Sequence, residues 1–336
     1  MRNRIECVVK NKKKFNGVVL VCKDNDIIYK DGYGYSDKED NKLNTEDTTF
    51  LICSVSKMFT ALGIMKLYEE GKLDINEPVS KYLSDIVYDD DIKIGNLLNH
   101  TSNLKNFIMC RKQLDLYKYN SPRDIAKLAY DMRNKNKSLD KLSYNNSGYL
   151  MLALIIEEVS GCTYEEYISD NIFKKLNMYS STFTSKTSEF AKCYSNGKEG
   201  RMLHSSSFYG CGDIVSTASD LLKFSIGLEN GQVVSLDTLK IMQEIKCENK
   251  MMKYGYGFMI NNKFGEESVG HSGSVPGGIS TQLSFYKESG VHIIILCNDT
   301  GSISPFVPGV INASYLEKCI MESITEKKIG FMKKLI

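Results

Sequence analysis

The chain has 336 residues, enough for one large unit or two coupled domains, and its 42% hydrophobic and 25% charged content is that of a globular protein. Forty-three basic side chains against 41 acidic ones leave a net charge of +2, and no Lys/Arg run is long enough to track phosphates, so nucleic acid is excluded as the expected partner. Ten cysteines are scattered without a C-x-x-C or a Cys/His spacing that suits a metal; neither a disulfide framework nor a metal is expected, no cofactor is called for, and the pattern fits a reducing compartment.

The N-terminus, MRNRIECVVKNKKKFNG, has charges but no apolar core before a small-residue cleavage site. Strands are expected at Val18 to Cys22 and Ile27 to Lys30, joined across the polar turn Lys23-Asp24-Asn25-Asp26. Thr48 to Cys53 is another short β-prone run. From Ser54 the period changes: Val55, Met58, Phe59, Leu62 and Met65 fall at helical spacing, with Ser54 placed to open an amphipathic helix and Gly71 to end it. Helices are expected at Ile92 to Leu98, at Pro122 to Asn134 with proline in the first turn, and at Ser147 to Val159, closed by Ser160-Gly161. Thr163 and Glu166 form a capping box for the next. Residues 180–210 read as loop, and Thr217 with Asp220 opens a helix through Leu228.

The end returns to strands at Tyr254 to Ile260, Glu267 to His271, Ile279 to Tyr286 and Val291 to Cys297, with a turn at Lys287-Glu288-Ser289-Gly290 and a closing helix from Leu316 to Ile324. No apolar run approaches 18 residues, so no transmembrane segment is expected, and the terminal GFMKKLI is too short for an anchor. A cytoplasmic location is the expectation, with a processed exported form as the alternative. Strands at both ends around a helical middle predict an α/β fold: one sheet region from residues 1–75 and 212–336, and a mainly helical region at 76–211.

Three segments could carry chemistry. Ser54-Val55-Ser56-Lys57 is an S-x-x-K. On a helix, residues three apart share a face, so Lys57 can reach the Ser54 hydroxyl and move its proton. The motif alone is weak, because copies also begin at Ser102, Ser138, Ser195 and Ser284; only Ser54 stands between a β-prone run and a long helix. Tyr144-Asn145-Asn146 offers a phenol for proton relay and an amide that can orient a substrate amide. The same Y-x-N spacing recurs at Tyr194-Ser195-Asn196, and a tyrosine beside a helix-capping Asn is the plainer alternative; position before the helix from Ser147 favours the first copy. His271-Ser272-Gly273 lies in a run of small residues that lets backbone approach a ligand, although a lone histidine is more often structural. No G-x-S-x-G, H-E-x-x-H or Walker A motif is present.

In this order the three motifs resemble the S-x-x-K, Y-x-N and K/H-[ST]-G set of penicillin-recognising serine enzymes, most closely class C β-lactamases with their D-alanyl-D-alanine carboxypeptidase, esterase and D-aminopeptidase relatives. Phe15 to Val19, Gly32 to Tyr35, Leu97 to Leu104, Tyr144 to Gly161, Gly212 to Asp220 and Gly270 to Gly277 are similar to further family segments, so the likeness runs from about residue 15 to 300. It implies a class C β-lactamase-like fold with an antiparallel sheet flanked by helices, and a serine hydrolase acting through an acyl-enzyme. Ser54 would be the nucleophile; Lys57 and Tyr144 would share the acid–base work. Asn146, His271, Gly273 and Ser274 would bind substrate, with the backbone N–H groups of Ser54 and Ser274 as the oxyanion hole. The implied substrate is a small molecule or short peptide with an amide, ester or β-lactam bond; a non-catalytic acyl sensor is the alternative. Asn103 stands where the family has glycine, and His271 where β-lactamases have lysine, so a cation at the third motif is not guaranteed at neutral pH.

Overall fold

The run Val291-His292-Ile293-Ile294-Ile295-Leu296-Cys297 is apolar at every position but one and buried throughout, which marks a strand covered on both faces. In the computed structural model, which describes residues 1–12, 15–136, 138–195, 197–275, 278–300 and 312–325, that strand lies inside an antiparallel sheet. Its members are β1 (Gly17–Lys23), β2 (Asp26–Tyr33), β3 (Cys247–Glu248), β4 (Lys253–Tyr254), β5 (Met259–Lys263), β6 (Glu266–Val275), β7 (Ile279–Tyr286) and β8 (Val291–Cys297), in the order β3-β4-β5-β6-β7-β8-β1-β2. The N-terminal hairpin therefore closes onto the last strand of the meander, with Gly17 opposite Cys297 and Lys23 opposite Val291.

Helices cover both faces: α1 (Arg2–Lys10), α2 (Ser56–Glu69), α3 (Ile94–Leu98), α4 (Pro122–Asp131), α5 (Ser147–Ser160), α6 (Tyr164–Ile168), α7 (Ala218–Glu229), α8 (Leu236–Gln243) and α9 (Ala313–Thr325). Alternation along β1 assigns the faces. Val19 and Val21 pack with Ile5 and Val9 of α1 and Leu316 and Ile320 of α9. Val18, Leu20 and Cys22 face the larger core of α2, α5 and α7.

The expected hairpin and meander are present, α4 and α5 start at Pro122 and Ser147 as expected, α3 and α9 start at Ile94 and Ala313 rather than Ile92 and Leu316, and Thr163 and Thr217 cap α6 and α7 through the N–H groups of Glu166 and Asp220. Four further expectations change. Ser54 does not open α2; it lies in a 3₁₀ turn, Cys53–Val55, and α2 begins at Ser56. The helix is buried on all sides rather than amphipathic, because it runs through the middle of the core: Met58, Phe59, Ala61, Leu62, Ile64 and Met65 are all 0–1% exposed. The strand expected from Tyr254 to Ile260 breaks between β4 and β5 where Gly257 takes φ +84° against α2; a Cβ there would stand 2.4 Å from the Cβ of Ala61. Helices α1 and α8 were not anticipated, since the charge of one and the mixed polarity of the other hide narrow apolar stripes.

Candidate active site

Local pairing sets the nucleophile turn. Phe50 and Leu51 pair with Ser216 and Val215, the Ile52 N–H donates to the Ile214 carbonyl at 2.9 Å, and the Thr281 hydroxyl donates to the Ile52 carbonyl at 2.8 Å. Pinned on both sides, the chain turns at Cys53 with φ +51°, a left-handed conformation that costs a non-glycine residue about 1–3 kcal/mol. The turn leaves the Ser54 side chain half-buried at the mouth of α2 and buries Cys53 at 2% exposure. Burial pushes the Cys53 thiol up, away from the reactive thiolate.

Lys57 follows one helical turn later and is fully buried. Its Nζ lies 3.0 Å from Ser54 Oγ, 2.7 Å from Asn146 Oδ1 and 2.8 Å from the Cys211 carbonyl oxygen. The last two groups can only accept. Ser54 is the one partner of the three that can also donate, so this contact lets a proton pass between its hydroxyl and Lys57 Nζ.

Tyr144 and Asn146 come from the segment entering α5. Asn145 caps the helix by accepting from the Gly148 N–H at 3.0 Å, which frees Asn146 to face Lys57. Asn106 steadies Asn146 from behind, its Oδ1 accepting from the Asn146 backbone N–H at 3.4 Å and side-chain amide at 3.5 Å. The Tyr144 ring centroid is 5.2 Å from Lys57 Nζ and 4.2 Å from the ring of His100. His100 is also packed on Tyr149 and Tyr254; burial first, then the Lys57 charge and His271, hold it well below the usual imidazole range, so it is neutral. His100 and Asn103 both take positive φ, +63° and +58°, and Asn103 holds the turn where glycine is usual in the resemblance.

His271 is buried beside Tyr144, with ring centroids 6.2 Å apart. Its Nδ1 is 2.6 Å from the Ser272 carbonyl and its Nε2 3.0 Å from the Tyr254 hydroxyl. A carbonyl only accepts, so Nδ1 carries the proton and Nε2 receives the Tyr254 O–H. Burial, reinforced by the Lys57 charge, pushes its pKa down to about 3. It is thus uncharged, held between the Ser272 carbonyl and the Tyr254 hydroxyl. Gly273 is required by proximity: a Cβ there would stand 2.6 Å from the Ile52 carbonyl and 2.9 Å from the Cys53 Cβ. Pairing of β6 with β5 ends at Gly270, so residues 271–275 turn this edge toward the Ser54 turn.

A cleft of about 380 Å³ opens here, lined by Ser54, Asn146, Ser274, Phe208 and the segment 111–117. Of the sequence candidates, Ser54, Asn146 and Ser274 line it; Lys57, His271 and Gly273 are buried and Tyr144 is half-buried. Among the described residues no cluster of His, Cys, Asp or Glu is placed to hold a metal ion.

A family model described as Beta-lactamase matches residues 1–312. The chain belongs to the β-lactamase family. It is 31% identical over 290 residues to the putative penicillin-binding protein PbpX of Bacillus subtilis strain 168, covering 84% of this chain and 70% of that protein. It is 32% identical over 275 residues to a teichoic acid D-alanine hydrolase of Staphylococcus aureus strain MRSA252, covering 78% of this chain and 66% of that one. The chain thus spans about two thirds of the length of these relatives. The octameric penicillin-binding protein homologue from Pyrococcus abyssi superposes with a TM-score of 0.81 at 29% identity, covering 97% of this chain and 77% of that one. The β-lactamase-family chain is accordingly a serine hydrolase of the β-lactamase and penicillin-binding-protein type, on that family's fold. No helix among its described residues is long and apolar enough to cross a membrane.

Of the other S-x-x-K serines, Ser102 and Ser284 are buried. Tyr194 is buried and its hydroxyl accepts from the Lys38 N–H at 2.8 Å; its Y-x-N partner Asn196 lies outside the described residues, as do Pro276, Gly277 and the C-terminal GFMKKLI. Sequence reasoning missed Asn106, the Cys211 carbonyl and Tyr254. The Gly212–Asp220 segment ran beside Cys211 and could have flagged it; Asn106 and Tyr254 carry no local signal.

Proposed function

We propose that this β-lactamase-family enzyme hydrolyses an ester or amide of a D-amino acid through an acyl-enzyme on Ser54. The supporting observation is the triple engagement of Lys57 Nζ by Ser54 Oγ, Asn146 Oδ1 and the Cys211 carbonyl, which aims a proton acceptor at one serine. In this mechanism Ser54 Oγ attacks the acyl carbon while its proton passes to the Lys57–Tyr144 pair. The oxyanion is received by the backbone N–H groups of Ser54 and Ser274, and Asn146 orients the acyl side. The proton is then delivered to the departing alcohol or amine. Water enters by the reverse route, the acyl–Ser54 bond breaks, and acid and free serine are released. The D-amino-acid substrate class is supported by the teichoic acid D-alanine hydrolase relative. The regions 1–75 with 212–336 and 76–211 act as one catalytic unit in this reading, since Ser54 and Ser274 come from the first and Tyr144 and Asn146 from the second. Ten unpaired thiols support a reducing, cytoplasmic setting.

Steady-state turnover of D-alanyl and L-alanyl esters, the matching amides and a chromogenic β-lactam tests this. Multiple turnovers with a D preference, abolished in Ser54→Ala, are expected. One stoichiometric acylation without turnover on every substrate would replace the hydrolase by an acyl sensor.

A further inference from the structure

The cleft carries its exposed cations on one rim. Arg111 and Lys112 line it together with Ser54, both are exposed, and among the described residues neither is ion-paired. Asp115 on the same segment is already engaged, with Lys118 Nζ at 3.7 Å and the Tyr117 N–H donating at 3.1 Å. The guanidinium of Arg201 lies 4.0 Å from the ring centroid of Tyr117, another lining residue, and extends the basic rim. The remaining cations of the site cannot serve an external anion. Lys57 is buried with its bonds committed, and His271 is buried and neutral. The wall from β6 offers Ser274 and Val275, which carry no charge.

Two unpaired cations in a concave wall repel each other and focus a positive field into the cleft. An anion between them relieves that repulsion, with the planar guanidinium able to grip two oxygens and the ammonium acting as a point charge. We propose that the 111–112 rim binds an anionic group, carboxylate or phosphate, on the substrate at a distance from the scissile bond. The proposal rests on the Ser54 hydrolase reading and adds the charge of the substrate to it.

The test compares kcat/KM for three esters of one D-amino acid that share the scissile bond and differ in the appended group: neutral, carboxylate or phosphodiester. The wild type should prefer at least one anionic ester by about tenfold at low salt, a preference that shrinks with added NaCl. A carboxylate preference assigns a peptide-like substrate; a phosphodiester preference assigns a phosphate-bearing polymer or headgroup. In Arg111→Ala/Lys112→Ala the anionic-to-neutral ratio should fall toward one, in Arg111→Glu/Lys112→Glu it should invert, and Arg111→Lys/Lys112→Arg should retain it. A ratio near one in the wild type, or an unchanged ratio in the Glu variant, overturns the proposal. These outcomes separate from failure of the underlying reading, in which none of the esters is turned over and Ser54 carries no acyl group.

Discussion

At Lys57 one nitrogen meets the serine, an asparagine and a backbone carbonyl, and the Tyr144 ring stands 5.2 Å away, so the proposed proton path is a unit rather than a sum. Lys57→Ala and Tyr144→Phe should each lower kcat/KM by about 10²–10⁴-fold on one ester, the usual scale of acid–base catalysis. The double variant should lose far less than the product of the two, because residues acting together are not additive. Multiplicative losses would separate their roles. A second residue-scale expectation concerns Asp213, buried beside the Gly210–Cys211 turn that aims the Cys211 carbonyl at Lys57. Its Oδ2 accepts from the Gly210 N–H at 3.0 Å while Oδ1 has no hydrogen-bond partner among the described residues, and burial raises its pKa from 3.8 to about 7. The native state therefore holds a proton there that the unfolded chain releases between about pH 4 and 7. Stability from this group is complete below pH 4 and is lost as pH rises through 7. Asp213→Asn cannot ionise, so its Tm relative to wild type should climb between about pH 4 and 7 and level off above that. A Tm difference independent of pH would show the carboxyl is not buried in this state.

Among elements, the contact between β6 and the 3₁₀ turn decides the geometry of the nucleophile. Cys53 holds a positive φ because Ile52 is fixed by Ile214 and Thr281, and Gly273 is packed against the same two residues of the turn. Gly273→Ala would force the strand and turn apart, since its Cβ would also meet Thr281 Oγ1 at 2.4 Å. Overpacking of this kind costs about 1–3 kcal/mol. The expected result is a folded protein with a lowered Tm and a fall in kcat larger than any change in KM. Wild-type kcat in Gly273→Ala would mean that the turn tolerates displacement. On the same strand His271 is held by Ser272 and Tyr254, and its burial keeps it uncharged.

Over the whole molecule, the sheet is joined from both ends of the chain, and α1 with α9 covers the face away from the site. Ile5 is fully buried there, so Ile5→Ala should cost about 2–5 kcal/mol in chemical denaturation while leaving kcat/KM near wild type. A negligible stability change would show that α1 is not docked. Much of this architecture was legible in the sequence. Unbroken apolar strands such as Val291 to Cys297 and capped helices such as Thr163 to Ile168 state their period locally. Helices α1 and α8 were illegible because their buried residues are few and set among charges. The order of motifs brought Ser54, Lys57 and Asn146 to one place, but chain spacing holds no information on depth. It could not say that His271 is fully buried, nor that Asn106, Tyr254 and the Cys211 carbonyl complete the surroundings.

The most direct measurement is the site of covalent labelling. A fluorophosphonate, which traps activated serines, should add once to the wild-type chain, and peptide mapping should place the adduct on Ser54, with no adduct in Lys57→Ala over the same interval. An adduct on Ser102, Ser138, Ser195 or Ser284, or equal labelling of Ser54→Ala, would contradict the account.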